Sequence, residues 1–399
     1  MEKLRSLPRS AAATAAVLFL AVAVCGAVAQ SASPAAGAAQ SGGLQIGGSL
    51  ADGALLLQDT GVGASSPSLA GSSVLTLNFV NANRTFAKVE GSVVVNLLYG
   101  AYADGYAAAV AQAVSASTAP GLLSLLTTQG AAVTVNLQKL YLEVYTNAAD
   151  FSMGREIINF GVGTLFSPID AFSRPTLTDL NYARSGSDVF RVDVPFGDVS
   201  GAEGVTSLSN SLDTLVSAIK LYTNVHDFDV SAVGIYRGAT GEVLAGADFK
   251  GDLVAGIYGE AVEHLFTNGS RQYFEGMAGA DYSVADTFFA TAEYYYNGNP
   301  AAPGSLTPAE IAAAEGLFLN QHYLYGNVRY LLNEIMNLQA SVVYDISGSS
   351  FLATVQYDWN VVQNADLQLY GRYIYGDIQG GGGWSGPNLQ YGFQVTVAF

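Results

Sequence analysis

The sequence is almost without cysteine, since Cys25 is the only one in 399 residues. A single cysteine forms no intrachain disulfide and provides no cluster of thiolates for a metal ion. Histidine is nearly as scarce, and His226, His264 and His322 are spaced like no metal-binding or nucleophile motif. We therefore predict no metal, no cofactor, no catalytic residues and no enzyme activity.

Charge is also scarce, and long apolar runs are missing from most of the chain. Only 12% of the residues are charged and 50% are hydrophobic, yet beyond residue 27 no run reaches the roughly 18 apolar residues that a membrane helix needs. The apolar residues must therefore be dispersed along the chain. Acidic residues outnumber basic ones, 33 to 16, which argues against nucleic acid as a partner.

The first residues have the layout of a secretory signal. Lys3, Arg5 and Arg9 precede an apolar stretch at 11–27, and Ala-Val-Ala then stands directly before Gln30. We predict a signal peptide at 1–29, a flexible segment at 30–43 and a single domain at 44–399; a retained membrane anchor is the alternative. Without the signal, 13 basic and 32 acidic residues give a net charge of −19.

The last twelve residues alternate strictly between apolar and polar side chains, as in a β-strand with one apolar face. The apolar face holds Leu389, Tyr391, Phe393, Val395, Val397 and Phe399. The same pattern recurs upstream and predicts strands at 44–57, 73–80, 85–99, 131–145, 150–160, 187–196, 200–208, 213–223, 227–238, 242–250, 253–266, 270–283, 288–296, 324–332, 338–346, 351–359 and 367–373. With the terminal strand these make 18.

Alternation over so many segments predicts an all-β protein, an antiparallel transmembrane β-barrel of about 18 strands, with 16 as the alternative. A membrane-crossing strand takes about 9–11 residues, so the chain has room for one such barrel and no second domain. The predicted connections sort by length onto opposite ends of the barrel. We therefore expect short periplasmic turns and long extracellular loops, the longest at 100–130 and 161–186.

Two segments carry a resemblance to a known class. The strand that ends in Phe399 resembles the terminal strand of Gram-negative outer-membrane β-barrels, in which a final aromatic residue is part of the signal read by the barrel-assembly machinery. Residues 154–172 resemble a strand-into-loop motif of large porin-like barrels. The resemblance implies location in the cell outer membrane, contact with its lipid, and a role for Phe399 in assembly.

A barrel this wide cannot be filled by its own side chains, so we expect water and charged side chains inside it. The residues predicted to line the lumen and set selectivity are Lys88, Glu90, Arg155, Arg191, Asp193, Lys220, Arg237, Glu293, Arg329, Asp358 and Arg372. We expect replacement of Arg372 by Ala to alter ion selectivity with little loss of stability.

The expected function is a porin-like channel for passive diffusion of small hydrophilic solutes or ions. One alternative is a structural or surface-interaction barrel with a plugged lumen, and a second is a barrel hydrolase with a Ser/His pair assembled in space. The sequence leaves open the charge of the solute, the presence of a homo-oligomer, and whether the two longest loops constrict or plug the lumen.

Overall fold

The computed structural model describes residues 43–60, 66–81, 86–107, 124–128, 130–177, 179–267, 269, 272–301, 318–380 and 388–399. The predicted signal peptide at 1–29 lies outside the described residues, as does all of the 30–43 segment except its last residue. No helix in the described part of the chain is long and apolar enough to cross a membrane.

The described residues form one antiparallel sheet. Its strands are β1 Leu44–Gln58, β2 Ser68–Asn81, β3 Ala87–Gly100, β4 Ser124–Thr128, β5 Ala131–Tyr145, β6 Asp150–Glu156, β7 Ser187–Pro195, β8 Gly201–Ser207, β9 Val216–Val225, β10 Phe228–Arg237, β11 Glu242–Asp252, β12 Gly256–Phe266, β13 Gln272–Val284, β14 Phe288–Asn297, β15 His322–Asn333, β16 Met336–Asp345, β17 Ser350–Val362, β18 Ala365–Tyr375 and β19 Leu389–Ala398.

The sheet closes on itself. Each strand pairs with its neighbour in sequence, β3 pairs with β5, and β1 pairs with β19 from Ser49↔Ala398 to Gln58↔Leu389. The short strand β4 pairs only with the start of β5. It therefore belongs to the connection between β3 and β5 and adds no strand to the barrel wall. The result is a closed barrel of 18 strands, which confirms the predicted fold class and count.

The connections also separate by length onto the two ends of the barrel, as predicted. At the end that holds Phe399, here called the short-turn end, the eight connections between strands contain two to five residues. Several use residues that tolerate positive φ, such as the His226-Asp227 pair at 50° and 68°. The opposite end, the long-loop end, carries the connections at 101–130, 157–186 and 298–321. A helical stretch at 101–107 opens the first of these.

Side-chain alternation gives the barrel two unlike faces. The outward face presents large apolar side chains that remain exposed in the isolated chain, among them Leu140, Leu142, Met153, Ile219 and Leu369. The inward face carries most of the charges and, toward the long-loop end, tightly packed apolar side chains. An apolar exterior with all strand edges paired is the arrangement that a lipid environment requires.

Candidate functional site

The connection between β6 and β7, residues 157–186 and here called the inserted loop, folds into the barrel. Its side chains Phe160, Leu165, Phe166 and Ile169 are almost completely buried against the inner wall. A loop this apolar would be costly to leave in water, and the barrel interior is the surface available to cover it. The sequence left open whether this loop enters the lumen, and in the structure it does.

A buried carboxylate of the barrel wall holds one part of the inserted loop. Glu293 of β14 is 2% exposed and receives four hydrogen bonds. Its Oε1 accepts from the backbone N–H of Thr164 at 2.5 Å and from the Tyr258 hydroxyl at 2.9 Å, while Oε2 accepts from the N–H groups of Leu165 and Phe166 at 3.0 Å each. Hydrogen bonds to an ionised carboxylate are stronger than neutral ones, so Glu293 is a firm anchor.

A second buried carboxylate, two strands away, also holds the inserted loop. Glu260 of β12 is 4% exposed; its Oε1 accepts from the N–H groups of Val162 and Gly163 at 2.6 and 2.9 Å. Its Oε2 accepts from the Ser167 hydroxyl at 2.9 Å and from the Ile169 N–H at 3.3 Å. A side chain on Gly163 would collide with the Phe166 carbonyl and Met277, so only glycine allows the chain to wrap this closely.

Two cationic side chains of the wall hold the loop through its carbonyl groups. Lys220 of β9 donates to the Phe160 carbonyl at 2.5 Å and pairs with Asp248 at 3.3 Å. Arg372 of β18 donates to the Asp179 carbonyl at 3.0 Å. Because β9 and β18 stand far apart around the barrel, these two anchors stretch the inserted loop across the lumen.

Apolar packing completes the docking. A first cluster joins Leu165 and Phe166 to inward side chains of β12 through β18, and the Phe166 ring stacks on Tyr295 with a centroid distance of 5.3 Å. A second cluster joins Ile158, Phe160 and Ile169 to β7 through β12. The inner wall from β7 to β18 is therefore largely covered toward the long-loop end, and the lumen is less uniformly polar than the sequence indicated.

The wall on the opposite side keeps a polar surface. We call it the polar wall, and it consists of Thr76, Asn78, Lys88, Glu90, Ser92, Asn96, Thr134, Lys139 and Tyr141 on β2, β3 and β5. Glu90 pairs with Lys88 at 2.6 Å and with Lys139 at 3.5 Å, and it accepts from the Tyr141 hydroxyl at 2.9 Å. Within 157–177 and 179–186, no described hydrogen bond or ring contact of the inserted loop reaches this wall.

Next to the polar wall stands a group centred on Arg191 of β7. Its guanidinium pairs with Glu156 at 3.0 Å and with Glu203 at 2.5 Å. Asp193, two residues further along the same inward face, accepts from the Tyr222 hydroxyl at 3.0 Å. Both predicted residues therefore lie inside the barrel, but each is tied to neighbouring strands.

Arg155 does not line the lumen as predicted. Strand alternation places it on the outward face with Met153, where its guanidinium forms two 3.0 Å hydrogen bonds to the carboxylate of Asp188 and one of 3.1 Å to the Leu137 carbonyl. The reason is its position at the end of β6, next to the long-loop end. A charge at this rim is paired and partly hydrated, and so avoids the cost that a midplane cation would carry.

The remaining predicted residues are on the inward face but are not gathered into one site. Arg237 pairs with Glu242 at 3.2 Å at the long-loop end. Arg329 lies over the Phe289 ring at 4.5 Å, and Asp358 accepts from Gln368 at 2.8 Å. The structure thus brings Lys88 and Glu90 together directly, while Glu293, Lys220 and Arg372 meet only through the inserted loop.

Sequence reasoning missed the partners that complete these contacts. Glu156 ends β6, Glu242 begins β11 and Glu203 lies within β8, and their only sequence signal was an acidic side chain in an alternating segment. Arg184, within the inserted loop, pairs with Asp170 and donates to the Ser173 carbonyl at 2.6 Å; burial lowers the pKa of its guanidinium. In the described part of the chain, no group of three or more His, Cys, Asp or Glu is placed to hold a metal ion.

Fold and site together define a class: a large closed antiparallel β-barrel with a loop folded into its lumen. OccAB4 of Acinetobacter baumannii is similar over 89% of this chain and 98% of its own, with a TM-score of 0.53 and 8% identity. Wzi of Escherichia coli, described as an outer-membrane carbohydrate-binding β-barrel involved in group 1 capsule assembly, is similar over 88% and 84% with a TM-score of 0.52 and 13% identity.

A mutant of the Rhodopseudomonas blastica porin also matches, over 90% of this chain and 100% of its own, with a TM-score of 0.44 and 12% identity. No protein-family model matches the sequence, and a search of curated proteins finds no match. At identities this low, the likeness to OccAB4 and Wzi establishes a shared barrel fold.

Proposed function

We propose that the protein is a porin-like channel of the cell outer membrane through which small hydrophilic solutes or ions diffuse passively. The observation that carries the proposal is the polar wall. Its ion pairs face a lumen too wide for side chains to fill, on the side that the inserted loop leaves uncovered. A water-filled path along this wall, narrowed by the docked loop, requires no cofactor and no chemical step.

The membrane location follows from the exterior. An outward face of Leu, Ile, Val and Phe side chains would be an aggregation hazard in water but suits a bilayer core. Outer-membrane lipid is therefore a proposed partner, and the assembly machinery, recognising the Phe399 terminus, is another. The predicted signal peptide would take the chain to the periplasm, from which it would insert.

Selectivity in such a channel comes from fixed charges beside the path. The proposed selectivity residues are those predicted from the sequence that face inward: Lys88, Glu90, Arg191, Asp193, Lys220, Arg237, Glu293, Arg329, Asp358 and Arg372. Those of the polar wall act on a passing ion directly. Glu260, Glu293, Lys220 and Arg372 act indirectly, because they set how far the inserted loop projects into the lumen.

Single-channel recording in planar bilayers tests the proposal. Purified, folded protein should give discrete conductance steps, and Glu90→Gln should shift the zero-current potential in a salt gradient toward anions, since one negative charge leaves the path. Glu263→Gln is a matched control because Glu263 faces outward between exposed Ala261 and Leu265. Absence of steps from folded protein would reject the channel, and an unchanged potential for Glu90→Gln would reject the path along the polar wall.

A barrel with a plugged lumen and a surface-interaction role is the second candidate. The specific observation in its favour is that a further connection also enters the barrel: Ala103, in the 101–107 stretch, is buried, and Ala101 packs with Leu55, Leu57 and Ala70 of the inner wall. Swelling of liposomes in small sugars separates the two candidates. A channel admits the sugar and the liposomes swell, whereas a plugged barrel leaves them unchanged.

A further inference from the structure

A cavity of about 100 Å³ lies between the inserted loop and the inner wall, apart from the polar wall. It is partly open, and its charged lining consists of Asp170 and Arg174 from the loop, Arg237 from β10, His264 from β12 and Glu275 from β13. Ser167, Tyr273 and Tyr295 add hydroxyl groups, and Leu165, Phe318 and two prolines form the apolar part of its surface.

Almost every charge at this cavity already has a partner. Arg237 pairs with Glu242 at 3.2 Å, and His264 lies between two carboxylates, 2.7 Å from Glu242 through Nδ1 and 3.5 Å from Glu275 through Nε2. Asp170 is paired with Arg184. These contacts fix the wall side of the cavity, from which Glu275 and Glu242 act on Arg174 of the loop through their charge.

Arg174 is the exception. Its guanidinium lines the cavity, and among the described residues no hydrogen bond or ion pair is formed by it. Burial, and then the positive charge of Arg237, lower the pKa of Arg174 to about 10. A guanidinium offers five N–H donors, and Arg174 brings them to the cavity without a hydrogen-bond acceptor among the described residues.

We propose that this cavity is a binding site for a small solute that carries a carboxylate, with the Arg174 guanidinium as its principal partner. The planar fork of arginine matches two carboxylate oxygens, and Arg237, on the facing wall, adds positive charge. Glu275 and Asp170 limit the site to a monovalent head group, because a second negative charge would lie close to one of them. The site lies away from the polar wall, so its occupation does not depend on solute passage.

Saturation-transfer difference NMR tests the site on the full-length protein in uncharged detergent, with acetate as the probe and acetamide as its uncharged isostere. We expect transfer to the acetate methyl group and little to acetamide. Arg174→Gln should weaken acetate binding at least about tenfold, because a charge-assisted pair is lost. Arg174→Lys should retain part of the binding, and Arg155→Gln, which removes an arginine from the outward face, should retain all of it.

Two results would overturn the inference: equal transfer to acetate and acetamide in the natural protein, or acetate binding by Arg174→Gln that equals that of the natural protein. The first comparison needs no variant, so it decides even if Arg174→Gln fails to fold. Conductance plays no part in the measurement, so a barrel that binds acetate without conducting would support this site and reject the channel separately.

Discussion

Glu260 and Glu293 show how single residues can shape the interior of a barrel. Glu260 accepts from four donors of the inserted loop and Glu293 from three, with a fourth from Tyr258 of β12, so a strip of loop backbone that would otherwise be buried without partners is satisfied. Four acceptor positions per carboxylate match that demand, which an amide side chain cannot meet. The identity of these two residues therefore matters more than their charge as seen by a passing ion.

Glu293→Gln tests this anchoring. The amide of glutamine puts an NH₂ group where one carboxylate oxygen accepts, so it faces the N–H donors of the loop. We expect the docking of the loop to weaken by about 1.5–3 kcal/mol for each charged hydrogen bond lost, with the barrel still closed. Hydrogen exchange of the amides of 164–166 should rise by an order of magnitude or more.

Asp358→Asn is the control for that variant, because Asp358 also faces inward but forms no hydrogen bond with the described residues of the inserted loop. Exchange at 164–166 should match the natural protein in Asp358→Asn. Unchanged protection in Glu293→Gln would mean that apolar packing alone holds the loop.

Arg372 has a different expected phenotype from the one indicated by its sequence. It is 4% exposed and bonds both Thr354 Oγ1 at 3.3 Å and the Asp179 carbonyl at 3.0 Å. Arg372→Ala should therefore lower the free energy of unfolding by about 1.5–3 kcal/mol, the contribution of a hydrogen bond to a charged group. Urea unfolding in lipid vesicles measures this free energy, with Arg329→Ala as the control at an exposed arginine. Equal urea midpoints for the two variants would mean that Arg372 contributes to ion selectivity alone.

At the scale of elements, the first and last strands carry the closure of the barrel. Gly48 and Phe399 exchange two backbone hydrogen bonds of 2.9 Å, and a side chain on Gly48 would press on the Thr76 carbonyl and on the Phe399 ring. The seam between β1 and β19 is thus fitted to a terminal aromatic residue. Its fit supports the sequence prediction for Phe399 without testing recognition by the assembly machinery.

Deletion of Phe399 should impair insertion, because both the seam contacts and the proposed assembly signal are lost. In cells, the truncated chain should show a reduced heat-modifiable, folded band in gel electrophoresis of outer membranes. Phe399→Tyr is the matched control, since it keeps an aromatic ring on the lipid face. A truncated chain that folds as well as the natural one in membranes would contradict the assembly role.

The strands were predictable because one physical rule, alternation across a two-faced wall, applies to all of them. The predicted strands differ from the observed ones where the chain leaves the barrel wall. The segment predicted as 150–160 ends as a strand at Glu156, since beyond it the chain leaves the wall as the inserted loop. Residue 154 already departs from ordinary strand geometry, being a glycine with φ of 134°. Strand β4 was missed because it is short and belongs to a connection.

The site was less predictable than the fold. Strand parity correctly places charges such as Lys88, Glu90 and Glu293 on the inward face, and fails for Arg155 because the rim relaxes the cost of facing outward. What Glu293, Lys220 and Arg372 do depends on contacts with residues 129, 60 and 193 positions away, and no local pattern encodes them. Nor does a local pattern predict that Arg174 has no hydrogen-bond or ion-pair partner among the described residues.

At the scale of the whole molecule, the predicted signal peptide at 1–29 determines how the mature chain should begin. We expect protein purified from outer membranes to begin at Gln30, because the small residues before it fit signal peptidase and the charged start would not be retained. Mass spectrometry of the intact protein checks this. A mass that includes Met1 would favour the retained anchor. The control Ala27→Ser keeps a small residue before the cleavage site and should leave cleavage unchanged.

The anchors of the inserted loop have a consequence for the order of folding events. Thr164 meets Glu293 across 129 residues of chain, and Asp179 meets Arg372 across 193. Contacts this distant in sequence form late, since the intervening strands must first be placed. The loop can therefore reach its full set of contacts only after β18 has joined the barrel, and an assembly intermediate that lacks its last strands would hold the loop only through the anchors on β9, β12 and β14.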